Sequence, residues 1–514
     1  MAQVAIVFVG FMGAGKSEAA RATAAELQEQ VVDADELIEH ELGEPIASFF
    51  EREGESAFRV REERLAIELL ERGVVISLGG GAVESAAVRD ALAPHVIAWC
   101  RVEEEAAWER SRDTGRPLAV DRAAFAGRYR ERQPLYEAVA RVTLPDGGSE
   151  LGRAAAPWLG ALRDSPGVRL VWARSASGEY PAAVGAGAPA LLDSPGISGR
   201  LGVSRWFAIA DAEVLRHHRP LLPECEAVIE VEASEERKTL AEAERVLRDL
   251  AQAGARRDDG VIAFGGGMVG DLAGFCAAMY QRGVPVVQVP TTLVAQVDSA
   301  YGGKTGVDLP EAKNYVGAYH MPAAVLADPG VLATLPDAEL AAGFVEILKT
   351  ALIAGGPLWD RVSGLEDLDP VELSEVIFAC ARAKIEVVAA DERDSGRRAV
   401  LNLGHTVGHA IEAASGYSGY RHGEAVGLGL LATLRLSDAE ELRERVHEIL
   451  RRHGLPTVLD TAIGTDDVLA AAELDKKRTA NGVGFVLLER PGEPRAGERV
   501  DSDRVRAAIE ELRG

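Results

Sequence analysis

The chain is poor in cysteine, short of positive charge and free of long apolar runs, and each shortage closes off a class of protein. Its four cysteines, Cys100, Cys225, Cys276 and Cys380, are far apart and form no CxxC pair. That spacing offers no disulfide framework and fits ordinary thiols in a reducing compartment. Lysine and arginine total 56 against 81 aspartate and glutamate, a net charge of −25. Such an acidic balance disfavours a general nucleic-acid or anionic-membrane binder, because nothing offsets phosphate repulsion globally. No apolar run approaches the about 18 residues that a membrane-spanning helix requires. The opening MAQVAIVFVGFMG lacks a basic segment ahead of its apolar run, so no targeting signal is expected and a cytoplasmic location is. No internal repeat is present.

What remains is the profile of a soluble globular chain, 47% hydrophobic and 27% charged. Its 514 residues exceed one ordinary core, so two to four domains are expected. A β-branched strand, Val4–Val9, runs into Gly10-Phe-Met-Gly-Ala-Gly-Lys16-Ser17 and then a helical pattern. GxxxxGKS between strand and helix is a phosphate-binding loop. Gly13 and Gly15 let backbone N–H groups converge on phosphate oxygens, Lys16 reaches the β- and γ-phosphates of ATP, and Ser17 holds Mg²⁺. Asp33 and Asp35 lie two apart at a strand end and are expected to point the same way, one to Mg²⁺ and one to a substrate hydroxyl. Arg59 and Glu62 share a helix face, where a plain salt bridge competes with a binding role. Gly79-Gly80-Gly81 permits close approach of backbone to a ligand. Arg112 to Arg122, which includes Arg116, is polar and broken by Gly and Pro, as a lid over ATP phosphates would be.

GFMGAGKS, DAD, FRVRE, GGG, RPL and RQPLY, in that order, resemble shikimate kinase. The resemblance implies a P-loop α/β domain with a parallel sheet that phosphorylates the shikimate 3-hydroxyl from ATP. It implies shikimate contacts at Asp35, Arg59, Gly80, Gly81 and Arg132, with Asp33 near Mg²⁺. Arg116 becomes the lid arginine, and Lys16, Asp35 and Arg116 the catalytic set. Glu18 departs from the Thr or Ser usual after GKS. We place a boundary at SPG, giving domains 1–165 and 166–514.

The second part opens with strands and turns, then gives a strand, glycines and a helix over Ala263–Met279, where Gly265, Gly266, Gly267 and Gly270 suit a dinucleotide. Cations at Arg282, Lys304 and Lys313 point to an anionic, phosphorylated substrate. His405 and His409 lie four apart on a helical pattern, and His422 follows a Gly/Ser/Tyr-rich loop. Spacing alone leaves two readings open, a metal-binding imidazole pair or two hydrogen-bonded helix histidines.

EERK, GGGMVGDLAGF, RGVPVVQVPTTLVAQVDSAYGGKTGV, KNYVGAYHMP, GFVEILK, LNLGHTVGHAIE, HGEAVGLG and DKK are together similar to 3-dehydroquinate synthase. The similarity implies an α/β NAD-binding part over about 166–325 and a mostly helical metal- and substrate-binding part over about 326–514. It makes Glu346, His405 and His422 the ligands of Zn²⁺ (or Co²⁺), and leaves His409 for the substrate. NAD would meet Asp211, Glu235, Lys238, Gly266, Gly267, Asp271, Thr291, Thr292 and Lys313. The substrate, 3-deoxy-arabino-heptulosonate 7-phosphate, would meet Arg282, Asp298, Lys304, Asn314, Lys384, Arg398, Asn402, His409 and one of Lys476 or Lys477. Lys304, Lys384 and His409 would be the catalytic set. The implied reaction is oxidation by NAD⁺, loss of phosphate, re-reduction, ring opening and aldol closure to 3-dehydroquinate, in a homodimer. Asp308 and Ala338 depart from the usual Asn and Arg. A rival is a metal-dependent polyol dehydrogenase of the same broad fold, which the GGKTG and KN segments oppose.

Overall fold

The computed structural model describes residues 3–112, 118–394, 396–416, 419–478 and 484–513, with no side-chain detail over 473–478. The chain divides into two compact units, the first Met1–Trp172 with Pro181–Ala183 and Gly187–Ser204, the second Ala173–Tyr180, Val184–Ala186 and Arg205–Gly514. Residues 166–172 and 187–204 thus pack with the first unit, beyond the SPG break.

In the first unit a parallel sheet runs in the spatial order Val31–Asp33, Val75–Ser77, Ile6–Val9, Val96–Cys100, Val142–Leu144 and the start of Arg169–Ser175. The Ile6–Val9, Val75–Ser77, Val96–Cys100 and Val142–Leu144 strands are buried throughout, the unbroken apolar pattern of strands covered on both faces. Helix Lys16–Leu27 follows the central strand directly, and it packs against helix Gly148–Ala161 at very short range. A Cβ at Gly152 would lie 2.4 Å from the Ala19 carbonyl oxygen, and Thr23 Oγ1 donates to Gly152 O at 2.9 Å.

The second unit holds a parallel sheet in the order Ala324–Ala327, Val286–Pro290, Gly260–Gly265, Trp206–Asp211 and Ala227–Val231. Helix Gly267–Met279 starts at the carboxyl end of its middle strand, where α/β sheets bind ligands. An antiparallel hairpin, Lys304–Leu309 with Ala312–Tyr319, follows, and the rest is mostly helical. Two glycines bring three of those helices into register. At Gly423 a Cβ would meet Ala342 O at 1.9 Å, and at Gly429 it would meet Gly404 O at 2.0 Å. Helix His422–Leu436 therefore lies against the backbones of both helix Asp337–Ala354 and the start of helix His405–Ala414. The α/β class, the P-loop unit and the division into a sheet part and a helical part agree with the sequence reading.

His95, buried ahead of strand Val96–Cys100, accepts the Ala5 N–H on Nδ1 at 3.0 Å, and burial holds its pKa below the ordinary value. A group whose folded pKa is depressed binds more protons unfolded, so its contribution is intact above the unfolded value of about 6.5 and is lost as pH falls below it. The melting temperature of the first unit should therefore fall between about pH 7 and about pH 5, and His95→Gln should flatten that slope. Equal slopes in the two proteins would contradict the assignment.

Candidate functional site

In the first unit, the phosphate loop and the sheet edge enclose a cavity of about 400 Å³ lined by Lys16, Ser17, Asp35, Arg59, Gly81 and Arg132, among others. Gly13 and Gly15 sit at φ 78° and 75°, a left-handed backbone that only glycine adopts without strain, and Gly15 caps the helix that Lys16 begins. Lys16 Nζ donates to Phe11 O at 3.1 Å, and Ser17 Oγ lies 3.3 Å from Ser77 Oγ. Arg110 donates to Gly13 O at 3.1 Å and forks onto Asp146 at 2.8 and 2.5 Å. It steadies the loop from outside, and no motif in the sequence marked it.

Gly80 and Gly81 line the cavity, and side chains occupy the space a Cβ would need at Gly79 and Gly81. A Cβ at Gly81 would sit 1.9 Å from Arg59 Nη1, and one at Gly79 would sit 2.2 Å from Glu62 Oε1 and 2.7 Å from Asp35 Oδ1. Tyr136 donates to Gly80 O at 2.5 Å. Arg59 bonds Glu62 at 2.5 Å and Glu55 at 2.8 Å, so the salt bridge is present alongside any binding role. Burial raises the Glu62 pKa, and Arg59 opposes it. Arg132, 2% exposed, donates from Nε to Glu84 at 2.9 Å. One expectation is corrected. Asp33 and Asp35 do not project together from an extended segment, because Asp35 already lies in helix Ala34–Leu42 and Asp33 caps that helix through the Asp35 and Glu36 N–H groups. Arg116 lies outside the described residues.

In the second unit, Gly266 precedes helix Gly267–Met279, and its Cβ would meet Thr292 Cγ2 at 2.7 Å. The backbone there is bare enough for a dinucleotide to approach, and among the described residues the buried Thr291 Oγ1 has no hydrogen-bond partner. Both features fit NAD. Lys238, 4% exposed, donates to Asp271 at 2.6 Å and to Asn314 at 2.5 Å. Burial lowers Lys238, but Asp271 outweighs it and the pKa rises. Lys313 lies 3.6 Å from Glu235. Asp211 Oδ1 accepts the Glu213 N–H at 2.9 Å, capping its helix. Asp308, where Asn is usual, accepts the Asn314 N–H at 2.5 Å and steadies that residue's left-handed φ of 53°.

A second cavity of about 620 Å³ is lined by Asp271, Asp298, Lys304, Asn314, Lys384 and Arg398, with hairpin residues. Lys384 donates to Asp298 at 2.6 Å, and Lys304 to Asp394 at 2.5 Å. Arg398 donates to Glu392 O at 2.6 Å. Burial raises Asp298, but the Lys349 and Lys384 ammonium groups outweigh it and hold it at about 2. Burial lowers Lys384 below the ordinary lysine value.

Behind that cavity, Lys349 Nζ lies 3.8 Å from Asp298 and 2.5 Å from Glu346. Glu346 is 1% exposed, and among the described residues neither of its oxygens has a hydrogen bond of normal geometry. Its Oε1 faces His422 Nε2 at 3.4 Å and His405 Nε2 at 3.7 Å. Donor atoms of all three residues lie within 4.8 Å of one another, and a buried carboxylate with two imidazoles is a donor set for a divalent metal. Burial opposes charge on Glu346, yet Lys349 holds it well below the usual carboxylate range. Burial, with Lys349, holds His405 down at about 3, leaving the imidazole neutral. Its Nδ1 lies 3.1 Å from Leu403 O.

The structure thus brings together Glu346, His405 and His422, and separately Asp298, Lys304, Asn314, Lys384 and Arg398. Arg282 and Asn402 are exposed and are not among the residues that line this cavity. His409 is exposed beside the metal set, 5.2 Å from His405 between ring centres. The side chains of Lys476 and Lys477 lie outside the described residues. Sequence reasoning gave no role to Lys349, Asp394 or Glu412, although Lys349 stands one helical turn after Glu346 and Glu412 closes the HAIE motif.

A family model described as 3-dehydroquinate synthase N-terminal matches residues 228–342, its C-terminal counterpart matches 343–478, and one described as shikimate kinase matches 12–157. A curated 3-dehydroquinate synthase of Halorhodospira halophila is 41% identical over 338 residues, 63% of this chain and 94% of that protein. Another, of Desulforamulus reducens, is 45% identical over 271 residues, 51% of this chain and 75% of that protein. Among solved structures, a 2-deoxy-scyllo-inosose synthase complexed with carbaglucose-6-phosphate, NAD⁺ and Co²⁺ has a TM-score of 0.58 at 25% identity, covering 66% of this chain and 99% of its own. The 2-epi-5-epi-valiolone synthase of Streptomyces hygroscopicus subsp. jinggangensis, with NAD⁺ and Zn²⁺ bound, also has a TM-score of 0.58, at 28% identity, covering 65% and 96%. The chain therefore belongs to the 3-dehydroquinate synthase family, with a shikimate kinase domain ahead of the synthase part in the same polypeptide.

Proposed function

We propose that the chain carries two activities, phosphorylation of the shikimate 3-hydroxyl by ATP in residues 1–165 and conversion of 3-deoxy-arabino-heptulosonate 7-phosphate to 3-dehydroquinate in residues 166–514. The observation that carries the second is the convergence of Glu346, His405 and His422 directly behind a cavity lined with cations. Zn²⁺ or Co²⁺, when bound to those three residues, supplies a Lewis acid that polarises the C–O group being oxidised. NAD⁺, when bound over Gly266, Gly267, Asp271, Thr291 and Thr292, with Asp211, Glu235, Lys238 and Lys313 at its rim, supplies a reversible two-electron acceptor. Lys304 and Lys384 hold the phosphate, and Arg398 is the cation for the carboxylate. Asp298 pins the Lys384 ammonium, and His409 faces the substrate from the open side. Oxidation beside the departing proton acidifies that C–H, so phosphate can leave with the proton.

In the kinase half, the loop N–H groups and Lys16 hold the β- and γ-phosphates and Ser17 and Asp33 face Mg²⁺. Arg59 and Arg132 clamp the shikimate carboxylate against Gly80 and Gly81. Asp35 accepts the hydroxyl proton as the oxygen attacks the γ-phosphorus, and ADP leaves. The lid role stays with Arg116. No described helix is long and apolar enough to cross a membrane, and our reading is of a cytoplasmic homodimer joined through the synthase half.

Two substitutions test the halves separately. Arg132→Ala removes a charged hydrogen-bonding group worth about 1.5–3 kcal/mol, so kcat/KM for shikimate should fall on the order of 10- to 100-fold while phosphate release from the heptulosonate is unchanged. Full kinase turnover in that variant would contradict the site. Lys304 is half exposed, and its surface ion pair with Asp394 contributes only about 0–1 kcal/mol to stability. Lys304→Ala should therefore melt like the parent yet lose at least about 10-fold in kcat/KM for phosphate release. Unchanged turnover would remove Lys304 from the site.

A further inference from the structure

The three candidate metal ligands are not equally anchored. Glu346 is buried, and His405 is tied through Nδ1 to Leu403 O at 3.1 Å. His422 is the first residue of its helix and its side chain is 40% exposed. What faces the far side of that ring is Glu412, only 9% exposed, whose Oε1 lies 3.5 Å from His422 Nδ1. The imidazole is thus held between two carboxylates, with Nε2 toward Glu346 and Nδ1 toward Glu412.

We infer that Glu412 is a positioning residue that fixes the His422 tautomer and ring plane, and so sets how tightly this chain holds its divalent metal. The inference rests on the metal reading of Glu346, His405 and His422. A carboxylate accepting the Nδ1–H keeps the proton on that nitrogen and leaves the Nε2 lone pair aimed at the ion. It also makes the imidazole a stronger donor. Glu412 reaches this position because helix His405–Ala414, which carries it one turn after His409, packs directly on helix His422–Leu436.

A competing use of the same atoms exists. His409, Glu412 and His422 also bring donor atoms within 4.8 Å of one another, so Glu412 could ligate a second ion. Positioning is favoured by a contrast between the two acids. Glu346 is 1% exposed and its Oε1 faces the Nε2 atoms of two partly buried histidines at 3.4 and 3.7 Å, whereas the set that Glu412 would complete includes His409, which is exposed.

The test uses the full-length protein with zinc. Metal per chain is counted, the apparent zinc Kd is measured by competition with a chelator, and the absorption spectrum of the Co²⁺ form is recorded for wild type, Glu412→Gln and Glu412→Ala. Glu412→Gln preserves shape, and the melting transition of the second unit, followed by circular dichroism in the full-length protein, reports its folding. The account expects one ion per chain throughout, a Kd raised about 10- to 100-fold in Glu412→Ala and less in Glu412→Gln, and an altered Co²⁺ spectrum. The zinc concentration needed for half-maximal phosphate release should rise by the same factor. A Kd within about twofold of wild type in both variants would overturn it. So would two ions per wild-type chain falling to one on substitution, which would make Glu412 a ligand. Absence of zinc binding by wild type would instead defeat the metal reading itself.

Discussion

Glu346 is an ionised carboxylate sealed from water, surrounded by one ammonium group and two imidazoles and without a normal hydrogen bond. Burying such a charge is costly unless cationic partners compensate for the lost hydration. The compensation comes from Lys349 one turn along the same helix and from His422 on another, with the neutral imidazole of His405 beside them. Those helices must be close enough for their side chains to meet at one carboxylate, and the contacts that Gly423 and Gly429 permit make them so. A Cβ at either position would push the helix bearing His422 outward and take its Nε2 away from Glu346. The acid, the imidazoles and the small residues form one device, and the cavity lined by Lys304, Lys384 and Arg398 abuts it through Lys349 and Asp298.

A net charge of −25 sets a second constraint, because the proposed substrates of both halves are themselves anions. Each half answers it locally. The kinase half relies on backbone N–H groups of a glycine loop and on arginines already held by acids, Arg59 by Glu62 and Arg132 by Glu84. The synthase half places each cation beside an anion or an amide: Lys238 on Asp271 and Asn314, Lys384 on Asp298, Lys304 on Asp394. The pairings keep long side chains ordered and limit the repulsion among cations. An incoming phosphate must therefore compete with carboxylates, which favours substrates with enough negative charge to displace them.

Much of this was legible in the residues. The strand–GxxxxGKS–helix order named the nucleotide loop because the turn geometry demands those glycines, and the glycines after strand Gly260–Gly265 marked the second cradle for the same reason. Spacing could not separate His405 from His409. Both lie near His422, and only Glu346, on a helix far earlier in the chain, distinguishes them. Asp35 was misplaced because a strand-like VVDAD run hides a helix that starts under the Asp33 cap. Arg282 and Asn402 carried suitable chemistry, but their exposure depends on tertiary packing that composition does not encode. Lys349, Asp394 and Glu412 sat in ordinary helical or loop contexts, and only their distances reveal what they touch.

The central claim is that the second unit oxidises, eliminates and re-reduces within one closed cycle. The most direct measurement follows phosphate and NADH together, using the full-length chain, 3-deoxy-arabino-heptulosonate 7-phosphate and a catalytic amount of NAD⁺, before chelation, after it and after zinc is restored. The account predicts phosphate release with no net NADH, abolished by the chelator and regained with zinc. Stoichiometric NADH, or phosphate release indifferent to chelation, would contradict it.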